Sequence, residues 1–121
     1  MPDIEAVLNP WAEELTGAEA GAETPDDLET RLPVIRIERI GGGDDRFASA
    51  PRVAVDVFAA TADGARTLAN QLRDALLFLR GPVHGAVIRD VRCDAGPKHL
   101  PWANEAIYRR GATYTVSYRD A

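Results

Sequence analysis

Between Thr61 and Pro82 the sequence leaves little choice of conformation. Ala62, Ala65, Leu68, Ala69, Leu72, Leu76 and Leu79 recur on one helical face, at the spacing of an amphipathic helix. Thr61 is a good N-cap, and Gly81-Pro82 ends the run: glycine accepts the left-handed cap and proline prevents continuation. Asp63, Arg66, Asn70, Arg73 and Asp74 occupy the opposite face. Such a helix must cover something on one side only.

The flanking segments read as the sheet it covers. Ile35 and Ile37 share one face of a strand over Leu32–Ile40, with Arg36 and Glu38 on the other. Val53, Val55 and Val57 alternate with Ala54, Asp56 and Phe58 in a second strand. Between them, residues 41–49 read as a loop by their glycines and charge. After the helix, Gly85–Cys93 reads as a strand with Val87, Val91 and Cys93 on one face and Ile88 on the other. Asp94–Asn104, with two prolines, reads as a loop. Ile107–Tyr118 is the longest strand: Tyr108, Ala112, Tyr114, Val116 and Tyr118 line one face, and Arg109, Thr113, Thr115 and Ser117 the other.

Upstream, Ile4, Val7, Leu8, Trp11 and Leu15 mark an amphipathic helix that Pro10 should kink, unless Asn9 caps a new helix there. Thr16–Arg31 is an acidic connection, in which Asp26–Glu29 suits one helical turn behind Thr24. The order α-ββ-α-ββ predicts an α+β fold: a four-stranded, largely antiparallel sheet with helices packed on one face. One domain is expected over residues 1–121, with an N-terminal helix at about 3–15, the acidic connection at 16–31 and the sheet–helix core at 32–119. A chain of 121 residues is one domain's worth.

Composition narrows the function. A formal net charge of −5 argues against coating nucleic acid, which needs a basic face for phosphates. The single cysteine, Cys93, cannot form an intrachain disulfide, so burial must hold the fold and a reducing compartment suits it. No apolar run reaches the roughly 18–20 residues that span a membrane. Met1–Glu5 has neither the basic start nor the apolar core of a signal peptide. Synthesis and assembly in the cytoplasm are expected.

No constellation of reactive residues survives scrutiny. Gly41-Gly42-Gly43 is followed by Asp44-Asp45, not by the lysine and hydroxyl of a phosphate loop, and two carboxylates repel phosphate. Asp44 and Asp45 lack a third carboxylate at loop spacing for a hard cation. His84 and His99 have no second ligand near them. Cys93 falls beside Val91 on an apolar strand face, where free cysteine acts as a small hydrophobe. Ser49 and Ser117 have no motif around them. Arg109-Arg110 points one arginine to each face and is too small for a nucleic-acid patch; Arg80, Arg89 and Arg92 are candidates to join it in space. No catalytic, metal-binding or cofactor-binding residue is assigned, and no enzymatic activity is expected. Trp11 and Trp102 are candidates for contacts, because tryptophan is enriched at interface hot spots.

Taken together, Leu32–Gly42, Pro51–Ala59, the alanine-rich helix ending Leu79-Arg80-Gly81, Gly85–Ile88, Leu100–Asn104 and Ala112–Tyr114 resemble the tail terminator (tail completion) proteins of long-tailed actinobacterial siphophages. The resemblance covers nearly the whole chain except residues 16–31. It rests on packing and turn patterns, not on a chemical motif. It implies a virion subunit forming a homo-hexameric ring at the head-proximal end of the tail. One side of that ring would contact the tail tube protein and the other a head-completion or stopper protein, with DNA passing through the lumen without sequence-specific binding and no membrane involved. On this reading Asp44, Asp45, Arg46 and Phe47 form a loop that reaches the tube or a neighbouring subunit, with Phe47 as anchor. Trp11, Trp102, Arg109, Thr113 and Thr115 are interface candidates. A polar strand face is then free to meet a neighbour or line a channel, and acidic lumen groups would keep DNA from adhering. Two other readings are open. One is a head–tail stopper or connector neck protein; the other is a small ferredoxin-like ligand-binding or metabolic domain with a cleft beside the sheet.

Overall fold

The structure, a computed structural model, describes residues 2–44 and 49–121. Helix α1 (Ile4–Thr16) starts at Asp3, whose carboxylate accepts the N–H of Glu5 at 2.9 Å, and ends at Gly17 in the left-handed region. It runs through Pro10 as one element. Asn9 caps no second helix; its amide Nδ2 donates to the carbonyls of Glu5 and Ile37, each at 3.0 Å. That side chain is needed to tie the helix to the sheet, which the local sequence does not reveal.

The sheet corrects the expected architecture. It has six strands and is mixed, curled into a half-barrel with two helices; it is not four-stranded and largely antiparallel. The strands are β1 (Glu19–Gly21), β2 (Val34–Asp44), β3 (Ser49–Ala59), β4 (Gly81–Val83), β5 (Ala86–Leu100) and β6 (Tyr108–Asp120), in spatial order β1-β2-β3-β6-β5-β4. β1 pairs parallel with β2; the other neighbours are antiparallel. The two added strands hold three residues each, too few for alternation to register in a sequence. β1 lies in the acidic segment that composition marks as connection, and a 3-10 turn over Leu28–Thr30 replaces the turn expected at Asp26–Glu29.

Two loops contract for the same reason. β2 continues through the three glycines and Asp44 pairs with Ser49. Gly42 has φ 94°, and a Cβ there would strike the carbonyl oxygen of Ala50, so this crowded crossing accepts glycine alone. β5 runs on to Leu100, with Pro97 at a register shift between Ala95 and Lys98. Another shift, between Ile88 and Asp90, reverses the expected faces: Ile88 joins Val91 and Cys93, while Val87 pairs with Arg119 on the other side.

Helix α2 (Ala62–Leu77) begins as its sequence dictates, the Thr61 hydroxyl accepting the N–H of Gly64 at 3.0 Å. It stops two residues short of Leu79. Ala65, Ala69, Leu72 and Leu76 are buried, and Leu68 partly so. Both helices pack on one side of the sheet, against Ile35, Ile37, Val53, Val55, Val57, Ile88, Tyr114 and Val116. A smaller cluster of Leu28, Val34, Phe58 and Ile107, with Leu32 and Trp102 against it, lies apart. Val34 and Phe58 face each other across β2 and β3, one residue out of phase with the main core and therefore on the opposite face.

Candidate functional site

That opposite, helix-free face holds the unusual chemistry of the fold. Asp56 stands in the middle of β3 between Val55 and Val57, with its side chain only 4% exposed. A buried carboxylate must be paired, and two arginines from neighbouring strands supply the pairing. Arg36 Nη2 on β2 lies 2.9 Å from Asp56 Oδ2. Arg109 Nε and Nη2 on β6 each lie 2.9 Å from Oδ1. Both guanidinium groups also lie over aromatic faces: Arg36 is 5.5 Å from the Phe58 ring centre and 5.8 Å from that of Trp102, and Arg109 is 5.5 Å from Trp102. Phe58 and Trp102 meet edge to face at 4.7 Å.

The register requires glycine beside this cluster. Gly111 pairs with Asp56, and a Cβ on it would come within 2.7 Å of Asp56 Oδ1 and 2.5 Å of Leu100 Cδ1. A shallow recess of about 210 Å³ lies beside it, lined also by Ala54, Lys98 and Thr113.

A second polar ladder crosses the same face further along. The Thr115 hydroxyl donates to Asp94 Oδ2 at 2.6 Å, Arg92 Nε to Asp94 Oδ1 at 3.0 Å, and Arg52 Nε approaches Oδ2 at 3.7 Å. The Thr115 hydroxyl first, and Arg92 after it, hold the Asp94 carboxyl below the usual carboxylate range. By strand register and the Asp94 bonds, this face carries Arg36, Arg52, Arg92, Lys98, Arg109 and Arg119 against Glu19, Glu38, Asp56, Asp90 and Asp94. It is thus more positive than negative on a chain whose net charge is −5.

The structure brings together some of the candidate residues and separates others. Trp102 and Arg109 belong to the Asp56 cluster, Thr113 lines the recess, and Thr115 anchors the second ladder. Trp11 lies on the other side, partly buried against the main core. Asp45, Arg46 and Phe47 lie outside the described residues, and Asp44 is described only as the last residue of β2. Arg36, Asp56, Phe58 and Asp94 were not singled out from the sequence as site residues, and Arg92 was named only as a candidate neighbour of Arg109-Arg110. Asp56 had a signal, as a carboxylate inside an otherwise apolar strand; Asp94 had none, and nothing local linked it to Arg92, because the β5 register that aligns them is non-local.

Elsewhere, His84 Nε2 lies 2.8 Å from Glu14 Oε1, and Cys93 packs half-buried against the main core opposite Tyr114. Among the described residues, no three His, Cys, Asp or Glu side chains gather as a metal site, and no helix is long and apolar enough to cross a membrane.

No family model matches the sequence, and no curated protein matches it. A solved structure shares the fold: a chain of the "Virion of native gene transfer agent (GTA) particle" matches with a TM-score of 0.61 and 11% sequence identity, over 89% of this chain and 84% of that one. At this identity the likeness is one of fold.

Proposed function

We propose that the protein is a structural subunit of a phage-like virion, a tail terminator that assembles as a ring on the head-proximal end of the tail tube. The observation that carries the reading is the fold shared with a gene transfer agent virion chain across most of both chains. The tail-terminator resemblance of the sequence supports the finer assignment, and the salt-linked helix-free face supports self-assembly. That face is broad, and its arginines are held in place by Asp56 and Asp94, a rigid polar surface of the kind that docks against another subunit with little loss of side-chain freedom. Its excess of positive charge makes it a poor lining for a DNA channel that must not adhere. It turns instead to the acidic outer surface of a neighbouring copy, leaving acidic groups for the lumen. Residues 44–47 reach the tube ring, the opposite side of the ring receives a head-completion or stopper protein, and DNA passes through without sequence-specific contact.

The test is to add the purified protein to polymerising tail tube protein from the same virion and image the products. The expected result is one ring at one end of each tube and a halt to growth at that end. Tubes that elongate unchanged and carry no added density would overturn the assignment.

A further inference from the structure

At the N-terminal end of α2 the structure opens an apolar groove of about 500 Å³. Leu32, Pro33, Ala59 and Ala60 line it together with Asp63, Thr67 and Leu68 of the helix. At the other end of the same helix stands Phe78, 83% exposed and the most exposed large hydrophobic among the described residues. The helix between them is 16 residues long, about 24 Å at roughly 1.5 Å per residue. Phe78 therefore cannot reach the groove of its own chain.

We infer that the groove is the seat of Phe78 from a second copy of this chain. A knob at one end of a rigid helix and a socket at the other define a heterologous, head-to-tail contact, which repeats until it closes into a ring or runs on as a fibre. Each end also carries an exposed ion pair whose partners can be exchanged with those of the other end. The socket side carries Asp63, paired at 2.6 Å with the exposed Arg66 one turn on; the knob is followed by Arg80, held by the exposed Asp90 at 3.1 Å. Exposed pairs of this kind are weak and exchange readily, so Arg80 of one copy can turn to Asp63 of the next. The positive end of one helix dipole also approaches the negative end of another. The groove is several times the volume of a phenyl ring, so Phe78 enters with the turn that carries it. Closure into a ring rests on the proposed function above; the contact itself does not.

Three proteins test the contact: the unaltered chain, Phe78→Ser, and Thr67→Trp, which fills the socket from an exposed helix position. Circular dichroism first establishes that each is folded. Sedimentation velocity then reads self-association across protein concentrations. Each substitution is expected to weaken it by roughly ten- to a hundredfold, the value of one buried aromatic side chain. Mixing the two variants restores one good contact, from the Phe78 of Thr67→Trp to the socket of Phe78→Ser, and is expected to yield a 1:1 dimer and nothing larger.

The outcomes separate the two proposals. Closed rings lost in both variants support both. Open fibres lost in both variants support the contact and overturn the ring. Rings that survive both substitutions overturn the contact alone. An unaltered chain that stays monomeric at every concentration overturns the contact, and imaging with tube protein then judges the ring separately.

Discussion

Asp56 and Arg109 meet across the β3–β6 ladder at 2.9 Å, although 53 residues separate them in sequence. The carboxylate also holds Arg36, so one buried anion fastens three adjacent strands. Its removal leaves two guanidinium groups, 18% and 22% exposed, without a counter-charge. Breaking a buried pair from one side costs about 3–5 kcal/mol, and the partial exposure of the arginines places this case near the lower figure, at about 3 kcal/mol. Urea unfolding of Asp56→Ala should show that loss as a lower midpoint with little change in slope. A loss under about 1 kcal/mol would mean that the cluster behaves as an ordinary surface network.

Gly111→Ala approaches the same cluster by steric means. Its backbone is extended like that of the strand around it, so the effect comes from space alone: the new methyl would press on Asp56 Oδ1, the atom that accepts from Arg109, and on Leu100. Overpacking of this kind costs about 1–3 kcal/mol. Combined with Asp56→Ala the penalties should be less than additive, because the first substitution already removes one of the clashing atoms. A double-mutant cycle by thermal or urea unfolding measures this, and strict additivity would show that the crowding arises elsewhere.

How much of this was legible in the sequence follows from the range of each interaction. Helix α2 was readable because its period and its Thr61 cap are local. The faces of β6 were readable because Thr113, Thr115 and Ser117 alternate without interruption. The faces of β5 were not, because the irregularity at Arg89 is one extra residue set by pairing with β6. β1 was invisible: three residues in an acidic stretch become a strand only because β2 offers an edge beside them. The Asp56 cluster shows the same division. The anion stood out in an apolar strand, but its two partners lie 20 residues before and 53 after it, and only the sheet register selects them.

Asp94 gives a pH-dependent prediction. Its folded carboxyl titrates below the ordinary value of 3.8, first because Thr115 donates to it. A group with a depressed folded pKa contributes stability above its unfolded pKa and loses it as pH falls through the folded value. The stability difference between the unaltered protein and Thr115→Val should therefore be full at neutral pH and shrink as pH drops through and below that value. Urea midpoints across that range measure the difference, and carbon NMR of the Asp94 carboxyl locates its titration directly. A midpoint at or above 3.8 in the unaltered protein would contradict the hydrogen-bonded arrangement.

The last prediction concerns the way α1 closes the sheet edge. β1 covers β2 only from Val34 to Arg36. Beyond it, Asn9 donates to the Ile37 carbonyl and Glu5 Oε2 accepts the N–H of Arg39 at 2.8 Å. Two side chains of one helix thus take the place of a neighbouring strand, and an edge so occupied is a poor template for unwanted pairing. Glu5→Ala should release the Arg39 amide at a cost of about 1 kcal/mol, raising its hydrogen exchange roughly fivefold. Glu5→Gln retains an acceptor oxygen at the same reach and should keep most of the protection. Asn9→Ala should cost more, about 1–3 kcal/mol, because it strands a buried carbonyl. If Arg39 exchanges equally fast in all three proteins, α1 covers the edge by packing alone and the side-chain bonds add nothing.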